Sequence, residues 1–213
     1  MLVKICGIQT LEAARTAVQG GADFIGFVFA DSRRKITPET AREIANALLK
    51  QVKKVGVFVN ETVEKMTEIA NMVGLDFLQL HGNEPASVAE KLPLPVIKAY
   101  SADLINHSEI RSYPCDYYLI DSPKGKYHGG TGKTFDWKIA KDFELDRRKL
   151  ILAGGLTPDN VREAITVVGP VGVDVSSGVE TDGKKDTEKI REFIKQAKST
   201  GKDESIDNLY NAR

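Results

Sequence analysis

Eight short apolar runs rich in Val, Ile, Phe and Tyr recur along the chain, at residues 2–5, 24–29, 55–59, 77–80, 96–100, 117–120, 150–153 and 171–175. Over 213 residues that is one run in about 27, the period of a strand–helix unit. The runs are nearly continuous. A strand with one face in water alternates apolar and polar residues, whereas a continuous run suits a parallel sheet covered on both faces. Between the runs the period changes to that of a helix. Leu11, Ala14 and Val18 share one face, as do Met66, Ile69, Ala70 and Val73, and Ile190, Phe193, Ile194 and Ala197. Thr37-Pro38-Glu39 and Thr157-Pro158-Asp159 each read as a capping hydroxyl, a proline at the first helical position and an acid in the first turn. Asp186 reads as the start of the last helix, and Gly20 and Gly21 as the end of the first. Eight strands alternating with helices in about 200 residues predict a single-domain α/β fold, a minimal (β/α)8 TIM barrel. The competing open doubly wound sheet announces itself by a GxGxxG turn after its first strand, and here that strand runs into Lys4-Ile5-Cys6-Gly7-Ile8.

Composition narrows the function. Thirty Lys and Arg balance thirty Asp and Glu, which argues against nucleic acid or an anionic membrane as the main partner. No apolar run approaches the roughly 18 residues of a membrane span, and the first residues lack the pattern of a signal peptide. Two cysteines, Cys6 and Cys115, make no disulfide framework and fit a reducing cytoplasm. His81, His107 and His128 are scattered, with no CxxC or HExxH, so no metal is expected. The barrel domain is assigned to residues 1–199 and a polar tail to 200–213. The Gly-rich stretch 122–134 reads as an active-site loop, and Gly129-Gly130-Thr131-Gly132-Lys133-Thr134 is no P-loop, because Tyr127 stands where the pattern needs glycine.

In a barrel the functional groups sit at the C-terminal ends of the strands. Gly154 and Gly155 end strand seven, and Asp174-Val175-Ser176-Ser177-Gly178 ends strand eight, where backbone N–H groups of such barrels cradle phosphate. Either segment alone is an ordinary turn; the two together point to an anion. Cys6 ends strand one. A lone cysteine there is ordinarily a small buried hydrophobe, and beside a cation its thiolate could act as a base. Asp121 ends an apolar run, as a hydrogen-bonded structural group or as a proton donor. Arg33 and Arg34 follow strand two, either solvated or clamping a carboxylate. His81, after strand four, and Asp174 read as structural hydrogen-bonding groups or substrate contacts. Cys115 reads as structural, at the opposite rim.

Taken in order, Lys4-Ile5-Cys6-Gly7-Ile8, Gly26-Phe27-Val28-Phe29, Ser32-Arg33-Arg34, Gly56-Val57-Phe58-Val59-Asn60, Leu78-Gln79-Leu80-His81-Gly82, Gly129-Gly130-Thr131-Gly132 with Phe135 and Trp137, Ala153-Gly154-Gly155-Leu156 and Asp174-Val175-Ser176-Ser177-Gly178-Val179-Glu180 resemble the phosphoribosylanthranilate isomerase family of tryptophan biosynthesis. The resemblance implies an Amadori rearrangement without cofactor or metal. It places the family's general base on Cys6 and its general acid on Asp121. The anthranilate-carboxylate contact falls on Arg34, with Arg33 as neighbour. His81 and Asp174 fall in the substrate pocket, and Gly154, Gly155, Ser177 and Gly178 at the phosphate site. The implied partner is a small phosphosugar–anthranilate substrate, for a monomer. Two other phosphosugar enzymes fit less well: a histidine-pathway isomerase uses paired aspartates where Cys6 stands, and indole-glycerol-phosphate synthase needs strand-end lysines. A phosphate-ligand binder without activity would keep the glycine turns but has no use for Cys6 with Asp121.

Overall fold

A computed structural model describes residues 1–48, 52–102, 107–121 and 145–199. The glycine-rich loop at 122–134 and the tail 200–213 lie outside the described residues. Eight parallel strands, β1 (Leu2–Cys6), β2 (Phe24–Val28), β3 (Lys53–Phe58), β4 (Phe77–Leu80), β5 (Val96–Ser101), β6 (Tyr117–Asp121), β7 (Leu150–Leu152) and β8 (Gly172–Val175), close into a barrel in chain order. β8 returns to β1, pairing Val3 with Val173 and Lys4 with Asp174. The described helices are α1 (Leu11–Gly20), α2 (Pro38–Asn46), α3 (Val63–Val73), α4 (Ala86–Ala89), α5 (His107–Ser112), α6 (Val161–Val168) and α7 (Thr187–Ser199). The expected α/β barrel is therefore the fold.

Strand alternation divides the apolar residues between two regions. Val3, Ile5, Ile25, Phe27, Leu78 and Leu80 point outward and are buried under the helices. Phe24, Val55, Ile97, Ala99, Leu119 and Ile151 fill the barrel interior. At the N-terminal end, Phe24 meets Phe77 edge-on at 5.4 Å and Tyr117 at 6.2 Å, so aromatic rings plug that mouth. The opposite mouth holds the polar strand ends.

The caps follow the sequence with two corrections. Thr37 accepts from the Thr40 amide at 3.2 Å, and Asp186 accepts from the Glu188 and Lys189 amides, as predicted. At the end of α1, Gly20 is still helical and only Gly21, at φ +91°, makes the left-handed cap. Thr157-Pro158-Asp159 does not start α6, which begins at Val161. Asn160 closes the preceding turn instead: its Oδ1 accepts from the Thr157 amide at 2.8 Å and its Nδ2 donates to the Gly155 carbonyl at 3.0 Å. A side-chain clasp across the turn has replaced the threonine cap, and it steadies the glycine loop after β7.

After β8 the chain makes a turn of 3₁₀ helix at Ser177–Val179 and a small antiparallel hairpin of β9 (Glu180–Thr181) and β10 (Lys184–Lys185). The hairpin turn uses left-handed Asp182 and Gly183. It folds Lys185 back over the end of β8, where its Nζ donates to the Ser176 carbonyl at 2.8 Å.

Candidate active site

The predicted site residues gather at the C-terminal mouth. Arg34, Asp121, Gly154, Gly155, Asp174, Ser177 and Gly178 line one cavity of about 200 Å³. His81 reaches the same place, its Nε2 lying 3.7 Å from Oδ2 of Asp121. Cys6 ends β1 at the mouth and is 7% exposed. A larger hollow of about 500 Å³ opens at the other end, between Phe77, Pro95, Tyr117 and Arg148. Its arginine is held by Asp146, its strand residues Phe77 and Tyr117 begin β4 and β6, and among the described residues none of the predicted site residues lines it.

The phosphate-side loops touch closely. A Cβ at Gly178 would overlap the Leu156 carbonyl oxygen, with the carbonyl carbon only 2.8 Å away. Only glycine lets the turn after β8 approach the turn after β7. The result is two backbone segments, 154–156 and 177–178, that face one cavity with the groups suited to an anion.

Arg34 is not a solvated loop residue. Its Nε and Nη2 donate side-on to both oxygens of Glu180, at 2.6 and 2.9 Å. Arg33 and Lys185 reach the same carboxylate at 3.0 and 2.7 Å. Against the cost of its burial, Arg34 and Lys185 hold the Glu180 carboxyl down to about 2. Arg33 is 61% exposed and Arg34 21%, and Arg34 is the one that lines the cavity.

Lys4 lies inside the barrel, 1% exposed, with its ammonium 3.0 Å from Oδ1 of Asp174. Burial works against its charge, but Asp174 and Cys6 together keep the ammonium protonated, raising it above the ordinary lysine value. Burial raises the Cys6 thiol, and Asp174 adds to this; Lys4 and Lys185 oppose both. Asp174 is thus both a core hydrogen-bonding residue and a wall of the cavity.

A second buried pair holds the loop after β4. Glu84 accepts from the amides of Asn60, at 2.7 Å, and Gly82, and from Lys98 Nζ at 2.8 Å. The Glu84 and Lys98 side chains are 2% and 4% exposed. The pair fixes the turn that carries His81, whose Nδ1 lies 3.1 Å from the Gln79 amide nitrogen. Cys115 sits at the opposite rim, its thiol pushed up to about 11 by burial.

Residues 3–196 match the family described as N-(5'-phosphoribosyl)anthranilate (PRA) isomerase. An N-(5'-phosphoribosyl)anthranilate isomerase of Bacillus cereus is 50% identical over 204 residues, covering 94% of this chain and all of the relative. The crystal structure of phosphoribosyl anthranilate isomerase from Thermotoga maritima is similar with a TM-score of 0.82 and 46% identity, over 93% of this chain and all of that one. A phosphoribosyl anthranilate isomerase in complex with reduced 1-(o-carboxyphenylamino)-1-deoxyribulose 5-phosphate matches with a TM-score of 0.79 and 43% identity, over the same shares.

Proposed function

Because the chain belongs to the N-(5'-phosphoribosyl)anthranilate isomerase family, we propose that its own Cys6 and Asp121 carry that family's acid–base chemistry. The protein is an isomerase of tryptophan biosynthesis. It converts N-(5'-phosphoribosyl)anthranilate into 1-(o-carboxyphenylamino)-1-deoxyribulose 5-phosphate, an Amadori rearrangement.

Asp121, as the carboxylic acid, gives its proton to the furanose ring oxygen. The C1–oxygen bond breaks, the nitrogen lone pair forms the C=N bond, and the ring opens to a protonated Schiff base. The Cys6 thiolate then takes the proton from C2. The C–H electrons form a C1=C2 double bond, the iminium electrons return to nitrogen, and the enolamine tautomerises to the ketone. Such chemistry needs an acid and a base on different sides of the sugar. The observation that carries this reading is the placing of Asp121 at the end of β6 and Cys6 at the end of β1, on one mouth and on separate walls of the barrel. His81, its Nε2 3.7 Å away, stands beside the Asp121 carboxylate that remains once the proton has been given up.

Arg34 binds the anthranilate carboxylate. Glu180 accepts from its Nε and Nη2, and we assign Nη1 to the substrate carboxylate. The phosphate lies against the backbone of Gly154, Gly155, Ser177 and Gly178, and Asp174 contacts the sugar. Binding at these two ends orients the reacting carbons. The test is the loss of anthranilate-type fluorescence when the protein meets freshly generated substrate. Asp121→Asn lowers kcat by at least about a hundredfold; near-normal turnover removes Asp121 from the mechanism.

The protein acts as a monomer in the cytoplasm on this reading. Among the described residues the large exposed hydrophobics are only Met1, Val59 and Met72, and no helix is long and apolar enough to cross a membrane. Sedimentation at one chain mass, 23.4 kDa, is expected, and a stable dimer mass contradicts the monomer.

A further inference from the structure

A lysine inside a barrel is expensive, because its charge leaves water and its length takes up core space. Lys4 occupies such a place, two residues before Cys6 on the same strand and the same face. Its register partner on β8 is Asp174, and the partner of Cys6 on β2 is Gly26. A Cβ at Gly26 would stand 2.9 Å from the Cys6 sulfur and 3.2 Å from Lys4 Nζ. The missing side chain therefore opens one small space that the thiol and the ammonium both border.

The charges around Cys6 do not cancel. The groups that face it are Lys4 below on its own strand, Asp174 from β8, Lys185 from β10 and Arg34 from the loop after β2. Glu180 holds the last two. With Arg33, which is 61% exposed and also on Glu180, four cations meet two carboxylates, and a thiolate at Cys6 adds a third anion to a cluster with an excess of positive charge. If Lys4 served only to pair with Asp174, nothing would require the pair to lie against a cysteine at the mouth, or a glycine to stand between them.

We propose that Lys4 is a positioning residue of the isomerase, its buried ammonium held by Asp174 to serve as the counter-charge of the Cys6 thiolate. This rests on Cys6 being the base. No proton passes through Lys4. It stabilises the charged form of its neighbour and so lessens the cost that burial puts on the thiolate that takes the proton from carbon. Asp174 fixes the ammonium and tempers its effect on the sulfur.

The test is a pH titration of thiolate absorbance, with the Cys6→Ser protein subtracted so that Cys115 cancels. In Lys4→Met the Cys6 midpoint moves at least about one pH unit higher, a tenfold loss of thiolate at a fixed pH below it. With phosphoribosylanthranilate, kcat falls by a similar factor while KM changes little. An unchanged midpoint in folded Lys4→Met overturns the proposal. Should the single variant fail to fold with Asp174 unpaired, Lys4→Met/Asp174→Asn removes both charges. Its midpoint still moves upward, because the Lys4 ammonium and the Cys6 sulfur border the same space beside Gly26, and an unchanged midpoint there overturns the proposal equally. The titration does not depend on catalysis. A shifted midpoint together with full activity of Cys6→Ala would show the counter-charge in place and the base assignment wrong.

Discussion

Replacing Gly178 by alanine drives a methyl group into the turn after β7. The new carbon would overlap the Leu156 carbonyl oxygen and lie 3.2 Å from the Thr157 Cα, so backbone must yield. No flexible side chain can absorb the clash. Overpacking of this kind costs about 2 kcal/mol, and for a chain of this size that is a Tm loss of roughly 4–8 °C. The functional effect is more specific. The clash pushes apart the two loops whose N–H groups face the proposed phosphate position. Hydrogen bonds to a charged partner contribute about 1.5–3 kcal/mol each, so misaligning one of them raises KM at least about tenfold. Gly155→Ala is the control. A Cβ there meets nothing within 4 Å, and the cost is only that of a left-handed φ of +64°, about 1–2 kcal/mol. Both variants should therefore lose similar Tm in differential scanning calorimetry, while in the fluorescence assay KM rises much more for Gly178→Ala. Unchanged Tm and KM in Gly178→Ala would refute the close approach of the two loops. Equal KM changes in both would refute the cradle.

Other perturbations follow from the ion pairs. Glu180 is held at about 2 in the fold against 4.5 normally, a depressed value, so its contribution is present above pH 4.5 and is lost as pH falls toward 2. The difference is about 3 kcal/mol, and acid unfolding of Glu180→Gln should lack that part of the wild-type limb; superimposable acid curves would contradict it. Arg34→Ala should raise KM with a smaller effect on kcat, and Arg33→Ala should leave KM nearly unchanged; the reverse pattern would move the carboxylate contact to Arg33. Glu84→Ala strands the buried Lys98 ammonium, and urea unfolding should show a loss of about 3–5 kcal/mol, whereas a loss under 1 kcal/mol would mean the pair is not buried as described.

The barrel was legible because strands buried on both faces leave unbroken apolar runs, and these survive without any knowledge of their partners. Their edges were less so. β3 begins at Lys53, outside the apolar run, because Lys53 and Lys54 both pair with Asp76 at the N-terminal rim. The first turn before α6 misled because proline after threonine is a start signal by propensity, while the fold uses Asn160 to clasp Gly155. At the mouth, Cys6, Asp121 and the two glycine turns could be found from their places at strand ends. Lys4 could not, since a lysine inside an apolar run gives no sign that its partner lies 170 residues away. Glu180 was visible only as the last residue of a motif; what gives it a role is Arg34, 146 residues earlier, and Lys185 on a hairpin. Charge pairs that close across a barrel are set by register between β1 and β8, and register is a property of the folded sheet.

The acid–base account depends most directly on Cys6. Single-turnover loss of anthranilate-type fluorescence, with Cys6→Ala in excess over phosphoribosylanthranilate, measures its part in the chemistry apart from product release. The account predicts a rate at least about a hundredfold below wild type, with the fold and substrate binding kept. A rate close to wild type would contradict it, and the base would have to be sought elsewhere at the mouth.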